Sequence, residues 1–335
     1  MHAANAGSAE HPTIQRLLAF ATLAFGALLV TTAHADEYPS RQIRIIVPEV
    51  PSGASDTLAR ELGYHLSSSL RVPVVIENKP GASGIIANAY VAHSPPDGYT
   101  LLFATSATHV IAAQLIANLS YDPRYDFTPV INAGYVTSVI VVNSTLPVRS
   151  LADFIAYARA RPGQLNYASS GIGSANHIDT EVFASIAGIN LLHVPYRGSA
   201  DGYRALLAGE VQLMFGSVTS ALPHVQTGKL RALAVLGDHR SPLLPDVPTI
   251  AQAGLGNVDV RKWMGLLAPA GTPPDVVAKL NAALDADLHE TSLGAWMEQH
   301  GYELVGGSPN AYGRTLDADF IKWSETVRRI GIHSE

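Results

Sequence analysis

The chain contains no cysteine. Disulfides, a thiolate nucleophile and any cysteine-ligated metal are therefore excluded. Charge is sparse, 15% of 335 residues, and the net charge is −6. That balance offers no basic surface to nucleic acid or to an anionic membrane, so neither partner is expected. Low-complexity tracts and fixed-period repeats are missing, which excludes solenoids and disordered linkers. The longest apolar run, near the amino terminus, is too short for an ordinary membrane span, and no other run is long enough. The length allows two domains with real cores.

The amino-terminal run reads as an export leader. Arg16 precedes the apolar stretch Leu17 to Val30, and Ala33-His34-Ala35 follows as a small-x-small cleavage site. Residues 1–35 are expected to be removed after Ala35, leaving a free periplasmic protein. The alternative is a retained anchor, because Arg16 is the leader's only strong base and Glu10 offsets it.

The mature chain is organised around Leu165-Asn-Tyr-Ala-Ser-Ser-Gly-Ile-Gly-Ser-Ala-Asn-His177. It reads as a short strand, Leu165 to Ala168, then a turn of small residues, then a helix through Ile178, Val182 and Ile186. Ser174 stands where an N-cap belongs. Gly171 and Gly173 let the backbone turn tightly and approach a guest. The first N–H groups of a helix lack internal partners and lie at the positive end of its dipole, so the stretch can cradle a carboxylate. The plainer reading is a strand-to-helix turn. It is not a dinucleotide fingerprint, since Asn176 takes the third glycine position, and no P-loop lysine follows.

A second copy of the arrangement lies earlier. Gln42 to Pro48 reads as a strand, Glu49-Val-Pro-Ser-Gly-Ala54 as a loop, and Ser55-Asp56 as the start of a helix carrying Leu58, Leu62 and Leu66. A further strand, Tyr99 to Ala104, ends in Thr105 and Ser106, hydroxyls at a strand's carboxyl end. Val130 to Val142 reads as a β-rich crossover broken at Gly134, and Val258 to Pro269 as the return. Alternating strands and helices give an α/β fold with largely parallel sheets. Two lobes joined by two crossings leave a cleft that both cradles can face. The expected division is 36–133 for the first part of lobe 1, 134–257 for lobe 2, and 258–335 for the return and the carboxyl-terminal helices.

Several phrases in order carry a resemblance. They are Tyr38-Pro-Ser-Arg-Gln-Ile-Arg-Ile-Ile-Val-Pro48, Val74-Val-Ile-Glu-Asn-Lys-Pro-Gly-Ala82, Pro96-Asp-Gly-Tyr-Thr-Leu-Leu102, Ser170-Gly-Ile-Gly-Ser174 with His177, His193-Val-Pro-Tyr-Arg-Gly-Ser199, Ala221-Leu-Pro-His224, Gly228-Lys-Leu-Arg-Ala-Leu-Ala234, Leu244-Pro-Asp-Val-Pro-Thr249 and Leu266-Leu-Ala-Pro-Ala-Gly-Thr-Pro273. The chain resembles the periplasmic solute-binding proteins of tripartite tricarboxylate transporters, the Bordetella uptake gene family. The resemblance implies a type II periplasmic binding fold that closes on a small carboxylate: a di- or tricarboxylate, an aromatic acid, or an amino or hydroxy acid. It implies no catalysis and no cofactor, a monomer, and as partners the large and small integral-membrane subunits of a permease. One wall would be Val50, Pro51, Ser52, Gly53, Ala54 and Ser55; the other Ser169, Ser170, Gly171, Gly173 and Ser174; Thr105 and Ser106 would lie beside them. Two departures stand out. Glu49 occupies a position usually aromatic in the family, and Gly216-Ser217 one usually acidic.

His177, Arg197 and Ser217 complete the candidate ring. His109, His177, His193 and His224 invite a metal, and His177 with Glu181 share a helix face, but two ligands make no site. Ser174, His177 and Asp179 are too close on one helix for triad geometry. Arg197 either clamps a carboxylate or faces solvent. Asp56 reads as a helix-start charge. The rival function is an exported hydrolase using a cleft serine.

Overall fold

In the computed structural model, β1 (Ile43–Val47) is the strand from which the first lobe grows. The structure describes residues 1–2, 37–51, 53–116, 118–256 and 261–330. The expected leader, its cleavage site and Ser52 lie outside them. The described residues from Arg41 onward form one compact unit. Among the described residues no helix is long and apolar enough to cross a membrane.

The first lobe holds α1 (Ala54–Leu70), β2 (Val74–Asn78), α2 (Ile85–Ala92), β3 (Thr100–Thr105) and β4 (Phe127–Val136). A π-helical turn, Ser106–Ile111, and the short α3 (Ala112–Leu115) follow β3. The second lobe runs through β5 (Ser138–Asn143), α4 (Leu151–Arg159), β6 (Asn166–Ser169), α5 (Ala175–Ala187), β7 (Leu192–Pro195), α6 (Ser199–Ala208), β8 (Leu213–Ser217), α7 (Val218–Gln226) and β9 (Leu230–Leu236). The chain returns through β10 (Lys262–Pro269), α8 (Pro274–Glu290), α9 (Ser292–Gln299), β11 (Tyr302–Leu304) and α10 (Pro309–Ile330).

One sheet has six strands in the order β11-β4-β10-β3-β1-β2, the other five in the order β7-β6-β8-β5-β9. Expectation and structure differ here. β1, β2 and β3 are parallel, as are β6, β7 and β8, but β10 runs antiparallel to β3 and β4, and β5 antiparallel to β8 and β9. Strands entering from the opposite lobe arrive from the far end of the sheet, so both sheets are mixed. The parallel strands keep their carboxyl ends on one edge, where loops can reach a guest.

The crossover does not break at Gly134. β4 continues to Val136, and a Cβ built on Gly134 would lie 2.3 Å from the Glu303 carbonyl oxygen, so glycine there admits β11. The break is at Thr137. Its N–H donates to Gly301 O at 3.3 Å, and its carbonyl accepts from Val218 N at 3.0 Å. This residue is thus tied to a first-lobe turn on one side and a second-lobe helix on the other. Thr219 adds a hydroxyl bond to His300 O. Behind the crossing, Ile178, Val182 and Phe183 of α5 share one apolar cluster with Trp263, Tyr312 and Phe320.

Candidate functional site

The first cradle begins where β1 ends. α1 starts after Gly53, whose backbone is extended and which has no side chain to cap the helix. Thr57 N–H donates to Gly53 O at 3.0 Å. The Glu49 side chain folds back over this turn. Its carboxylate takes a hydrogen bond from Ser55, and its Oε2 lies 3.9 Å from where a Cβ on Gly53 would stand. Burial and the nearby Asp56 raise the Glu49 pKa, and Ser55 opposes them. Asp56 itself is only 3% exposed and fully braced: Arg60 grips it with two bonds of 2.9 Å, and Asn78 donates to it at 2.9 Å. That agrees with reading Asp56 as a helix-start charge. Asn78 also donates to Glu49 O, fixing the loop's exit from the strand. Val50 and Pro51 are exposed at the rim, Gly53 and Ala54 half-buried, Ser55 buried.

At the end of β3 both hydroxyl residues, Thr105 and Ser106, are buried. Thr105 Oγ1 accepts from Thr108 N at 3.1 Å and contacts Thr108 Oγ1 at 3.0 Å, so it caps the π-helical turn. Ser106 is fully buried, and its Oγ has no partner among the described residues.

The second cradle is braced from within. Ser170 N–H donates to Asn176 Oδ1, Gly171 N–H to Ser169 Oγ, and Gly173 N–H to His177 Nδ1, all at 3.0–3.1 Å. Ser174 is the N-cap residue of α5, yet its hydroxyl caps no helix N–H. It donates instead to Gly171 O at 2.6 Å and contacts Asn176 Oδ1 at 2.8 Å. The backbone donors left to a guest are Ile172 N–H and the first-turn N–H groups of α5. Asn176 takes the third glycine position of a dinucleotide fingerprint. It proves to be the hub: its Oδ1 gathers the loop and its Nδ2 has no partner among the described residues. Its signal was legible, a polar residue with a short reach two positions into a helix.

Behind the loop, His177 and His193 stack at 4.0 Å between centroids, and Tyr167 stacks on His193 at 4.9 Å. Tyr167 donates its hydroxyl to Glu181. Glu181 is therefore not poised beside His177 as a metal ligand. Burial lowers the pKa of His177, and pushes that of His193 down to about 4. Ser169 Oγ meets His193 Nε2 at 2.6 Å. A serine–histidine contact suggests a nucleophile, but Ser169 is fully buried, and a nucleophile needs an open approach. His109 is likewise buried, held at 2.7 Å from Asn88. Arg197 is exposed, with no ion pair among the described residues; the carbonyl of the preceding Tyr196 lies 3.8 Å from a Cβ built on Gly171. Ser217 caps α7 by accepting from Ser220 N at 3.2 Å.

The two cradles meet through the turn Gly81 to Gly84. Gly81, Ala82, Ser83 and Gly84 all have positive φ. A Cβ on Gly84 would lie 3.3 Å from Pro48 Cβ, and one on Gly173 would lie 3.7 Å from Ser83 Oγ and 3.5 Å from Leu115 Cδ1. One short turn therefore touches both loops. At the crossing, Lys262 of β10 forms a buried ion pair with Asp179 of α5.

Residues 58–332 match the family described as "Tripartite tricarboxylate transporter family receptor". The protein BugT of Bordetella pertussis is 35% identical over 298 residues, 89% of this chain and 91% of that one. Among solved structures, R. palustris Rpa4515 with adipate superposes with a TM-score of 0.82 at 38% identity, over 89% of this chain and 99% of that chain. MatC from Rhodopseudomonas palustris with bound malate gives 0.78 at 31% identity, over 87% and 100%.

Proposed function

Because the chain belongs to the tripartite tricarboxylate transporter receptor family, we propose that it captures a small carboxylate between its lobes and hands it to the transporter's integral-membrane subunits. The observation that carries the reading is the pair of strand–loop–helix cradles joined across the Ala82–Gly84 turn. Helix N-termini bind anions through unpaired N–H groups and the dipole, without catalysis. Adipate and malate are the ligands of the related structures, and they support a carboxylate here. In this reading the loop Val50 to Ser55 and the loop Ser169 to Ser174 approach the guest, with Asn176 as an added donor. Thr105 supports from behind, and Arg197 steers from the rim. The expected division at 133/134 is moved to Thr137, with β4 up to Val136 and the return from 258 in one lobe and β5 to 257 in the other, and the lobes close by rotation about Thr137.

The test is a thermal-shift screen of mono-, di- and tricarboxylates, aromatic acids and amino acids, followed by calorimetry. Saturable binding of a carboxylate with no change in the compound after long incubation is expected. Turnover would favour a hydrolase; silence across the panel would remove the carboxylate reading. Export is proposed with it: intact mass of periplasmic protein should show Asp36 as the first residue, and gel filtration a monomer.

A further inference from the structure

The two cradles differ in charge. In the first, a carboxylate of the chain itself already lies over the helix start, because Glu49 folds onto Ser55 and beside Gly53. Asp56 adds a second acidic group there. The neighbouring guanidinium, Arg60, is committed to Asp56 and Asn78. In the second cradle the loop is braced by neutral groups, Asn176, Ser169 and His177, and the nearest ionic side chain along the adjoining loop is the exposed cation Arg197.

We infer that Glu49 closes the first cradle to ligand anions, so that the ligand is a carboxylate carrying a hydrogen-bond donor, best an ammonium, at its other end. This rests on the reading of the cleft as a carboxylate site. The argument is electrostatic and steric together. A plain dicarboxylate spanning both walls would set a second carboxylate against Glu49, beside an Asp56 already held by Arg60, and among the described residues no unpaired cation stands there to compensate. An amino or hydroxy acid anchors its carboxylate at Ile172 N–H, Asn176 and the start of α5, and presents its donor to Glu49. The distance is short enough for one small molecule, since Pro48 and Gly173 touch the same turn. Glu49 is half-buried, which makes its charged form costlier than in water, and a donor from the ligand replaces the hydration that the carboxylate has lost. Tyr302, whose hydroxyl donates to Ala54 O at 2.9 Å, stands beside this end of the site and cannot supply a cation.

Calorimetry on matched pairs tests the inference: succinate against 4-aminobutyrate, and adipate against 6-aminohexanoate, with the parent and Glu49→Gln. In the parent, the amino member of at least one pair should bind about tenfold or more tighter than the plain diacid. In Glu49→Gln that preference should vanish or invert as the plain diacid gains. A parent that prefers the plain diacid in both pairs overturns the inference. So does a preference that survives in Glu49→Gln, including the case where the variant only melts lower because Glu49 merely caps α1. Those outcomes leave the carboxylate site standing. If no member of either pair binds the parent and the wider panel is silent too, the site reading itself fails.

Discussion

Gly173 donates its N–H to His177 Nδ1 at 3.0 Å. An imidazole nitrogen that accepts a hydrogen bond carries no proton, so the proton of neutral His177 is on Nε2. The shape of the second cradle is thus tied to an uncharged ring stacked on a second uncharged ring, His193. The bond is buried. Replacing His177 by alanine leaves a buried donor unpaired, which costs about 1–3 kcal/mol. Urea unfolding of His177→Ala measures it, and a change below a few tenths of that range would mean water or another side chain takes over the acceptor role.

The same rings predict an acid sensitivity with a definite sign. His193 falls from an ordinary 6.5 to about 4 through burial and the neighbouring His177, and His177 is lowered by burial. Between those limits the unfolded chain binds more protons than the folded one. Stability is therefore full above about pH 6.5 and falls as the pH drops towards about 4. His109, also at about 4, contributes to the same slope. Melting temperature against pH for the parent and for His193→Gln isolates the share of His193: the variant's curve should be flatter, though not flat.

Gly173 separates conformational strain from obstruction. Its φ is +74°, and the space around a Cβ there is ordinary, 3.5 Å to Leu115 and 3.7 Å to Ser83. Gly173→Ala should cost about 1–2 kcal/mol of stability for the left-handed backbone and leave carboxylate binding largely intact. Gly173→Val adds two methyl groups into the gap shared with Ser83 and should abolish binding while the fold survives. Equal affinities for both variants by calorimetry would move the ligand away from this loop.

The Asp179–Lys262 pair joins the helix of the second cradle to the first strand of the return. Both side chains are buried; burial raises the Asp179 pKa and Lys262 opposes it. Lys262→Met should destabilise by about 3–5 kcal/mol, because it strands a buried carboxylate. Asp179→Leu combined with Lys262→Met should recover most of that loss. A single variant as stable as the parent would show that water reaches the pair.

Much of this was legible in the chain. The strand–loop–helix repeats announce themselves because a period of two turns to a period of four across a run of small residues, and α1, α5 and β1 fall where that pattern puts them. Other parts were hidden for physical reasons. α7 contains Pro223, a residue that normally ends a helix, and survives because its start is capped by Ser217 and anchored to Thr137. β11 is three residues long, too short for any periodicity, and exists through pairing with β4. Ser174 sits at a cap position while its hydroxyl serves the loop, a choice that depends on where Gly171 O and Asn176 end up in space. Glu49 was visible as an anomaly, but its fold-back onto Ser55 was not, since several residues of loop conformation intervene.

Gly216 shows how a missing side chain can be a filled space. The resemblance sets an acidic residue near this point; the chain has Gly216-Ser217 at the end of β8. A Cβ on Gly216 would lie 1.9 Å from Tyr203 Oη and 2.8 Å from its Cζ. Tyr203, on α6, is only 5% exposed and belongs to the second lobe's apolar cluster, so its ring has little freedom to retreat. Its hydroxyl is buried without a partner among the described residues, and burial raises its pKa. The tyrosine therefore takes the volume that an acidic side chain at position 216 would need. Gly216→Ala should destabilise by about 1–3 kcal/mol through overpacking. Tyr203→Leu, which withdraws the ring's far edge, should make the double variant more stable than Gly216→Ala alone. The measurement is a double-mutant cycle in urea. Coupling near zero would mean that Gly216 is glycine for some reason other than Tyr203, and that the acidic position could be restored without touching the ring.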